Sequence, residues 1–328
     1  MRKLTTSHGI TLSYQDRGLK SQPTIILIMG LGAQMTIWPD ELYFGLVDKG
    51  FRVIRFDNRD VGQSSQLDDH GEPSIIKAWL SQRTPIRAQT PYNLDDMADD
   101  VLELMSALKI KKAHLVGASM GGMIGQIIAA KHKKKVLSLT SIMSTISAPG
   151  ISGSNLKVFL QLAKRPSKFN REAAIRYNMK MNRLIGSPAY PLDEARLRQQ
   201  ATANVDRGYN PSGFKRQLAA ITASGCRQYL MRKIKAPTLV IHGAEDPIIP
   251  VSGGQKTAEQ IKKSKLKVVP GMGHDFPPAL IPKMRKWITK HVKKAEIKRK
   301  EKAKRLKEKR VSKLAEQNQL DTSTNENL

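Results

Sequence analysis

The stretch that decides the fold is "HLVGASMGGMIGQ", His114 to Gln126. An apolar run leads into a single serine, Ser119, and an apolar, helix-compatible run leads out. Gly117, Ala118, Gly121 and Gly122 crowd the hydroxyl. G-x-S-x-G between a strand and a helix is the pattern of a nucleophile elbow, a sharp turn that lifts the serine Oγ above the strand ends. Such a turn leaves no room for side chains two residues either side of the nucleophile, and Gly117 and Gly121 occupy those places. Gly122 lets the following helix pack close to the sheet. The Met120 N–H and the helix N-terminus behind it are then aimed at developing negative charge.

Working outward, strands and helices alternate. "GITLSYQDRG" alternates apolar and polar residues and predicts a half-buried strand. "TIILIMG" and "FRVIRFD" read as buried strands ending in Gly- and Asp-rich loops. "NLDDMADDVLELMSALK" predicts an amphipathic helix with Leu94, Met97, Val101, Leu104, Met105 and Leu108 on one face and Asn93 as N-cap. "KAHLVG", "VLSLTSIM", "PTLVIHG" and "LKVVPG" supply further strands. The alternation predicts an α/β fold with a mostly parallel sheet and helices on both faces. It breaks over residues 148–232, which read as helices only. The expected organisation is therefore a core over 1–147 and 233–290, a helical cap insertion over 148–232, and a lysine-rich tail over 291–328.

A serine at its ordinary pKa is a weak nucleophile and needs a positioned base. In this arrangement the chain order is Ser, acid, His. His274, in "VVPGMGHDFP", lies on a Gly/Pro-rich loop after the last strand and is the expected base. His291 sits among lysines and reads as solvated. His242 ends a strand and reads as a packed, hydrogen-bonded residue. His114 begins the nucleophile strand, at the wrong end for catalysis. Asp246, in "GAEDPIIP", follows a strand and is the expected acid, ahead of Glu245 and Asp275. The second oxyanion donor is expected from "LIMGLGAQMTIW", with the Leu31 N–H the candidate beside Met120. Asp57, Arg59 and Gly62 are expected to brace a loop near the site, and Met179 and Met181 to pack inside the insertion.

Composition narrows the class. The chain has 328 residues, 40% hydrophobic and 26% charged, enough for a sizeable core. Its single cysteine, Cys226, excludes an intrachain disulfide, and no Cys/His spacing suggests a metal site. No metal or cofactor is expected. The N-terminus lacks the apolar run of a secretory signal, and a soluble, cytoplasmic protein is expected. The net charge is +28, of which residues 290–315 hold thirteen Lys/Arg and three Glu. Residues 1–289 carry a net +21 of their own. Such charge favours contact with polyanions.

The motifs "MGLG", "FDNRDVGQS", "GASMGG", "GAEDPIIP" and "GMGHDFP", in this order, resemble the α/β-hydrolase superfamily over roughly residues 8–290. Within it the chain most resembles aclacinomycin methylesterase-like esterases, and more distantly arylesterases and perhydrolases with G-x-S-M-G-G. The resemblance implies a sheet of about eight strands, a helical cap, the triad Ser119, Asp246 and His274, and Leu31 and Met120 as oxyanion donors. One departure is Met29-Gly30 where the oxyanion loop commonly has His-Gly. The donor is a backbone amide, so the departure bears on the loop's support. The expected function is a serine hydrolase of carboxylic esters, methyl esters among them, acting on a small-molecule substrate. The alternatives are a perhydrolase or C–C bond hydrolase using the same triad, or a polyanion-binding protein dominated by the basic tail. Serine rather than aspartate at the elbow argues against dehalogenase or epoxide hydrolase chemistry.

Overall fold

A computed structural model describes residues 1–74, 90–147 and 170–325. Eight strands form one sheet: β1 (Arg2–Thr5), β2 (Thr11–Arg17), β3 (Thr24–Ile28), β4 (Arg52–Phe56), β5 (Ala113–Ala118), β6 (Val136–Ile142), β7 (Thr238–Gly243) and β8 (Ser264–Val269). The spatial order is β1-β2-β4-β3-β5-β6-β7-β8. β1 and β2 run antiparallel, as do β2 and β4, and the other pairs are parallel. The expected mostly parallel, eight-stranded α/β architecture is what the chain adopts. β1 escaped the sequence reading because it is four mostly exposed residues whose place is set by pairing with β2. At the other border, β8 turns lysines outward, a device that discourages edge-to-edge pairing.

The described helices are α1 (Asp40–Val47), α2 (Leu94–Ala107), α3 (Met120–Lys131), α4 (Arg171–Ile185), α5 (Glu194–Arg207), α6 (Pro211–Ala223), α7 (Gln228–Met231), α8 (Val251–Gln260) and α9 (Ile281–Asn325). In α2, Asn93 caps as expected: its side chain accepts from the Asp95 and Asp96 amides, and Asp96 reaches back to the Asn93 N–H. All of α3 from Met120 to Ala130 is buried, so this helix is the spine of one layer. One apolar cluster packs α2 and α3 against one face of the sheet, and a second packs α1 and α9 against the other.

Between β6 and β7 the described chain, 170–231, holds α4 to α7 and no strand, as the sequence predicts; residues 148–169 of the expected insertion lie outside the described residues. Met179 packs with Ile175 and Leu197 inside this unit, and Met181 packs with Tyr177 and Ile185.

The C-terminal region corrects two expectations. Burial does not end at residue 290: Val292, Ala295 and Glu296 are buried against the body on an unbroken α9. His291 is not solvated. It faces the sheet, its Nε2 lies 3.2 Å from the Leu139 carbonyl, and burial pushes its pKa down to about 4. The helix runs on to Asn325. No described helix is long and apolar enough to cross a membrane.

Candidate active site

The elbow forms because nothing larger than glycine fits beside it. A Cβ on Gly117 would stand 2.2 Å from the Gly121 carbonyl oxygen, and one on Gly121 would stand 2.0 Å from the Ile28 carbonyl oxygen. Ser119 itself adopts φ 53° and ψ −120°, a strained conformation for a residue with a side chain. Its backbone is held on both sides. The Ser119 N–H donates to Ile142 at 2.9 Å, and its carbonyl accepts from Gly122 N–H and from Ser144 Oγ. The fixed backbone leaves Ser119 half-exposed at the C-terminal end of β5, ahead of the first turn of α3.

Asp246 and His274 meet on the same sheet edge. Asp246 follows β7 and its side chain is fully buried. Its Oδ1 accepts the Ile248 and Ile249 amides at 2.9 and 2.8 Å. Its Oδ2 lies 2.7 Å from His274 Nδ1. A carboxylate only accepts hydrogen bonds, so Nδ1 carries a proton, and in the neutral imidazole Nε2 is the acceptor. The His274 backbone is fixed by its N–H donating to the Ile185 carbonyl at 2.7 Å. Ser119 Oγ and His274 Nε2 are not hydrogen-bonded to each other, a contact that commonly tightens only around substrate.

The competing candidates have other partners. Glu245 accepts the Gly271 N–H at 2.6 Å. Asp275 accepts from Ser187 Oγ, and burial holds its pKa above the usual carboxylate range. His242 Nε2 lies 2.8 Å from the Ile249 carbonyl, and burial lowers its pKa. It is the packed residue the sequence predicts, although its Nε2 also stands 3.5 Å from Asp246 Oδ2. His114 sits at the far end of β5, bonded to Ser138 and near Glu296.

The loop after β3 passes beside Ser119: a Cβ on Gly30 would lie 3.0 Å from that of Ser119. Within this loop the Gly32 N–H donates to Gln217 Oε1 at 2.8 Å, and the Ala33 N–H donates to the Gly30 carbonyl. Those two amides are therefore occupied. Leu31 stands between Gly30 and Gly32, and Met120 contributes one of the first-turn amides that a helix leaves unpaired. These are the two positions the sequence singles out.

Three residues of the inserted helices support the site and were not found from sequence. Gln217 is fully buried, and its Nε2 also donates to the Arg59 carbonyl at 2.7 Å. Arg207 binds Asp57 at 2.6 Å and Gln34 at 2.6 Å. Arg216 binds Asp60 through two nitrogens, at 2.7 and 2.9 Å, with both side chains fully buried. Asp57 also accepts the Met35 and Gln63 amides, and Arg59 pairs with Asp100, so this loop is braced as expected. No local pattern announces the three, because their partners lie about 150 residues or more away in the chain.

This geometry has known counterparts. The family model for the α/β hydrolase fold matches residues 23–277. A rhodomycin D methylesterase of Streptomyces peucetius is 24% identical over 315 residues, 90% of this chain and 99% of that protein. The 3-oxoadipate enol-lactonase 2 of Acinetobacter baylyi is 27% identical over 266 residues, 80% of this chain and 86% of that protein. Among solved structures, an enol-lactonase from Burkholderia xenovorans superposes with a TM-score of 0.70 at 20% identity, covering 89% of this chain and 100% of that one. Elbow, sheet order and family match agree: the chain belongs to the α/β hydrolase fold family.

Proposed function

We propose that this chain is a serine hydrolase that cleaves carboxylic esters through Ser119, His274 and Asp246. The observation that carries the reading is the 2.7 Å contact of His274 Nδ1 with Asp246 Oδ2, on the sheet edge that also holds the positive-φ Ser119. Ser119 Oγ attacks the ester carbonyl while His274 Nε2 takes its proton. Asp246 keeps the imidazole in the Nδ1–H tautomer and stabilises the imidazolium. The Leu31 and Met120 amides hold the oxyanion. His274 returns its proton to the departing alcohol. Water, deprotonated by the same nitrogen, then releases the acid from Ser119.

The helices between β6 and β7 act as the cap over this site, and their side chains set which acyl group enters. Methyl esters are the first substrates to try, because a named methylesterase matches nearly its whole length to this chain. The test pairs a panel of methyl, acetyl and longer-chain esters with a fluorophosphonate probe. Labelling at Ser119, blocked by Ser119→Ala, is expected. Labelling elsewhere, or full activity in that variant, overturns the assignment.

A further inference from the structure

The catalytic machinery occupies the edge of the sheet where the parallel strands end. The opposite edge, where they begin, has an unusual composition. The segments leading into β5, β6, β7 and β8 read "KIKK" (109–112), "KHKKK" (131–135), "RKIK" (232–235) and "KKSK" (262–265). None contains an acid, and every Lys and Arg in them is exposed. Only Lys131 has a carboxylate partner, Asp95, among the described residues.

The fold sets these four segments side by side. The Ala113 N–H donates to the Lys135 carbonyl, the Leu139 N–H to the Pro237 carbonyl, and the Thr238 N–H to the Lys263 carbonyl. Neighbouring strands stand about 4.8 Å apart, so the four starts form a strip roughly 15 Å wide. Charges scattered over 150 residues of sequence become one basic face.

The long helix α9 arrives at the same edge. It starts near the catalytic loops and runs back against the strands. His291 reaches Leu139 in β6, and Glu296 reaches His114 near the start of β5, at 3.3 Å. Beyond Glu296 every residue from 297 to 306 is exposed. The basic stretch of the helix therefore leaves the body where the basic strip lies, and the two meet as the walls of a corner.

We propose that this corner is a docking surface for the phosphodiester backbone of nucleic acid. Charge complementarity gives the class of partner: many exposed cations with few competing carboxylates match a dense polyanion. The shape and composition favour nucleic acid over an anionic membrane. A membrane-lying helix needs an apolar face to bury among the acyl chains. Here the exposed stretch 297–306 offers only Ile297 and Leu306 as large apolar side chains, nine residues apart and so off one face. A corner fits a charged cylinder or strand better than a plane. The surface is expected to read backbone, without base preference, since among the described residues the exposed Tyr229 beside Lys233 is a lone ring and no array for base edges.

The experiment uses the full chain and a fluorescein-labelled DNA duplex, followed by anisotropy across a salt series. Lys112→Glu/Lys135→Glu breaks the strip, truncation after Arg299 removes the projecting helix, and Arg176→Glu/Lys180→Glu makes the same charge change on α4, away from the corner. Binding at low salt is expected, with the strip variant weakened about ten-fold or more and its slope of log K against log salt flattened by about two. The truncation is expected to weaken binding as well, and the α4 variant to bind like the parent. Should the strip pair fail to fold, Lys134→Glu/Lys263→Glu replaces it. The proposal is overturned by no binding at low salt, by equal losses in the strip and α4 variants, or by a strip variant that binds like the parent. Tighter binding to phosphatidylserine vesicles than to duplex would overturn it in favour of a membrane.

Discussion

The two edges of the sheet handle charge in opposite ways. Where the parallel strands end, Asp57, Asp60 and Asp246 lose all side-chain exposure, and each is held by at least one backbone amide and a cationic or imidazole partner. Where β5 to β8 begin, lysines stand in water, nearly all without a carboxylate partner among the described residues. Buried charge costs several kcal/mol per ion unless it is paired, and the pairing fixes its geometry. Exposed charge costs the fold little and fixes nothing. One edge thus suits the proposed chemistry, which needs atoms held in place, and the other the proposed attraction, which works at a distance and fades with salt.

The largest test of that division is at the proposed nucleophile. Ser119→Ala or His274→Ala is expected to lower kcat by about 10⁴–10⁶ on an ester the parent hydrolyses, with the thermal melting curve preserved. A single-site change at the other edge, such as Lys135→Glu, is expected to leave kcat alone. Comparable losses at both edges would end the comparison.

Next comes the orienting acid. Asp246→Asn removes the acceptor that selects the His274 tautomer, and a loss on the order of 10⁴ in kcat is expected. His242→Ala touches the same carboxylate only through a 3.5 Å contact and is expected to affect melting more than rate. Steady-state kinetics on the two variants separates them. Reversed results would move the catalytic base to His242.

The buried ion pairs give a smaller effect, in stability. Arg216→Met leaves the Asp60 carboxylate buried with only Tyr92 and an amide, and is expected to cost about 3–5 kcal/mol in urea unfolding. Adding Asp60→Asn removes the stranded charge, and most of that loss is expected to return. Asparagine tolerates the positive φ of 68° at this position. A neutral Arg216→Met would mean that the inserted helices are not latched by this pair.

How much of this was legible beforehand follows the range of the interactions. The elbow is local: Gly117, Ser119 and Gly121 are specified by clashes within a few residues, so the motif announces them. Asp246 and His274 lie in distinctive Gly/Pro loops whose chain order constrains their roles. Gln217, Arg207 and Arg216 are held by partners 185, 150 and 156 residues away, and a helix interior gives no sign of that. β1 was missed because an edge strand's conformation is imposed by its neighbour. The misreading of His291 is different, because its signal was present. Met284, Ile288, His291, Val292 and Ala295 fall on one face at helical spacing, and four of the five are buried and apolar. The surrounding lysines hid the stripe from a reading based on local charge.

His291 gives the fourth test, since it is a half-buried titratable group beside the lysine strip. Its pKa is about 4 when folded and about 6.5 when unfolded. Between those values the unfolded chain binds the extra proton, so stability rises with pH across the window and falls on acidification. The contribution of one such group is at most about 1.4 kcal/mol per pH unit. His291→Gln keeps a donor for the Leu139 carbonyl and removes the titration. Urea unfolding from pH 7 to pH 4 is expected to show a shallower loss of stability in the variant. A parallel pH dependence in the two proteins would place the imidazole in water.

The smallest expected effect falls on turnover when the projecting helix is removed. Truncation after Arg299 retains Val292, Ala295 and the contact of Glu296 with His114, so the packing of α9 on the sheet survives. Arg299 must stay because it holds Glu296 at 2.8 Å and, after the nearby His114 imidazole, helps keep that carboxylate's pKa at about 2. The proposed reacting groups lie at the opposite edge. A helix crosses the body from Ile281 to Glu296, roughly 22 Å at 1.5 Å per residue. That distance exceeds the screening length of about 8 Å at physiological ionic strength, so the charges removed have little purchase on the triad. On a small neutral ester, kcat/KM is expected to match the parent at that salt. An anionic ester is the sharper probe. At low salt the screening length grows to about 30 Å and the lost cations should slow its capture, while kcat holds. A fall in kcat itself, in a truncated protein that melts like the parent, would mean that the two edges are coupled through the sheet and that their separation is only geometric.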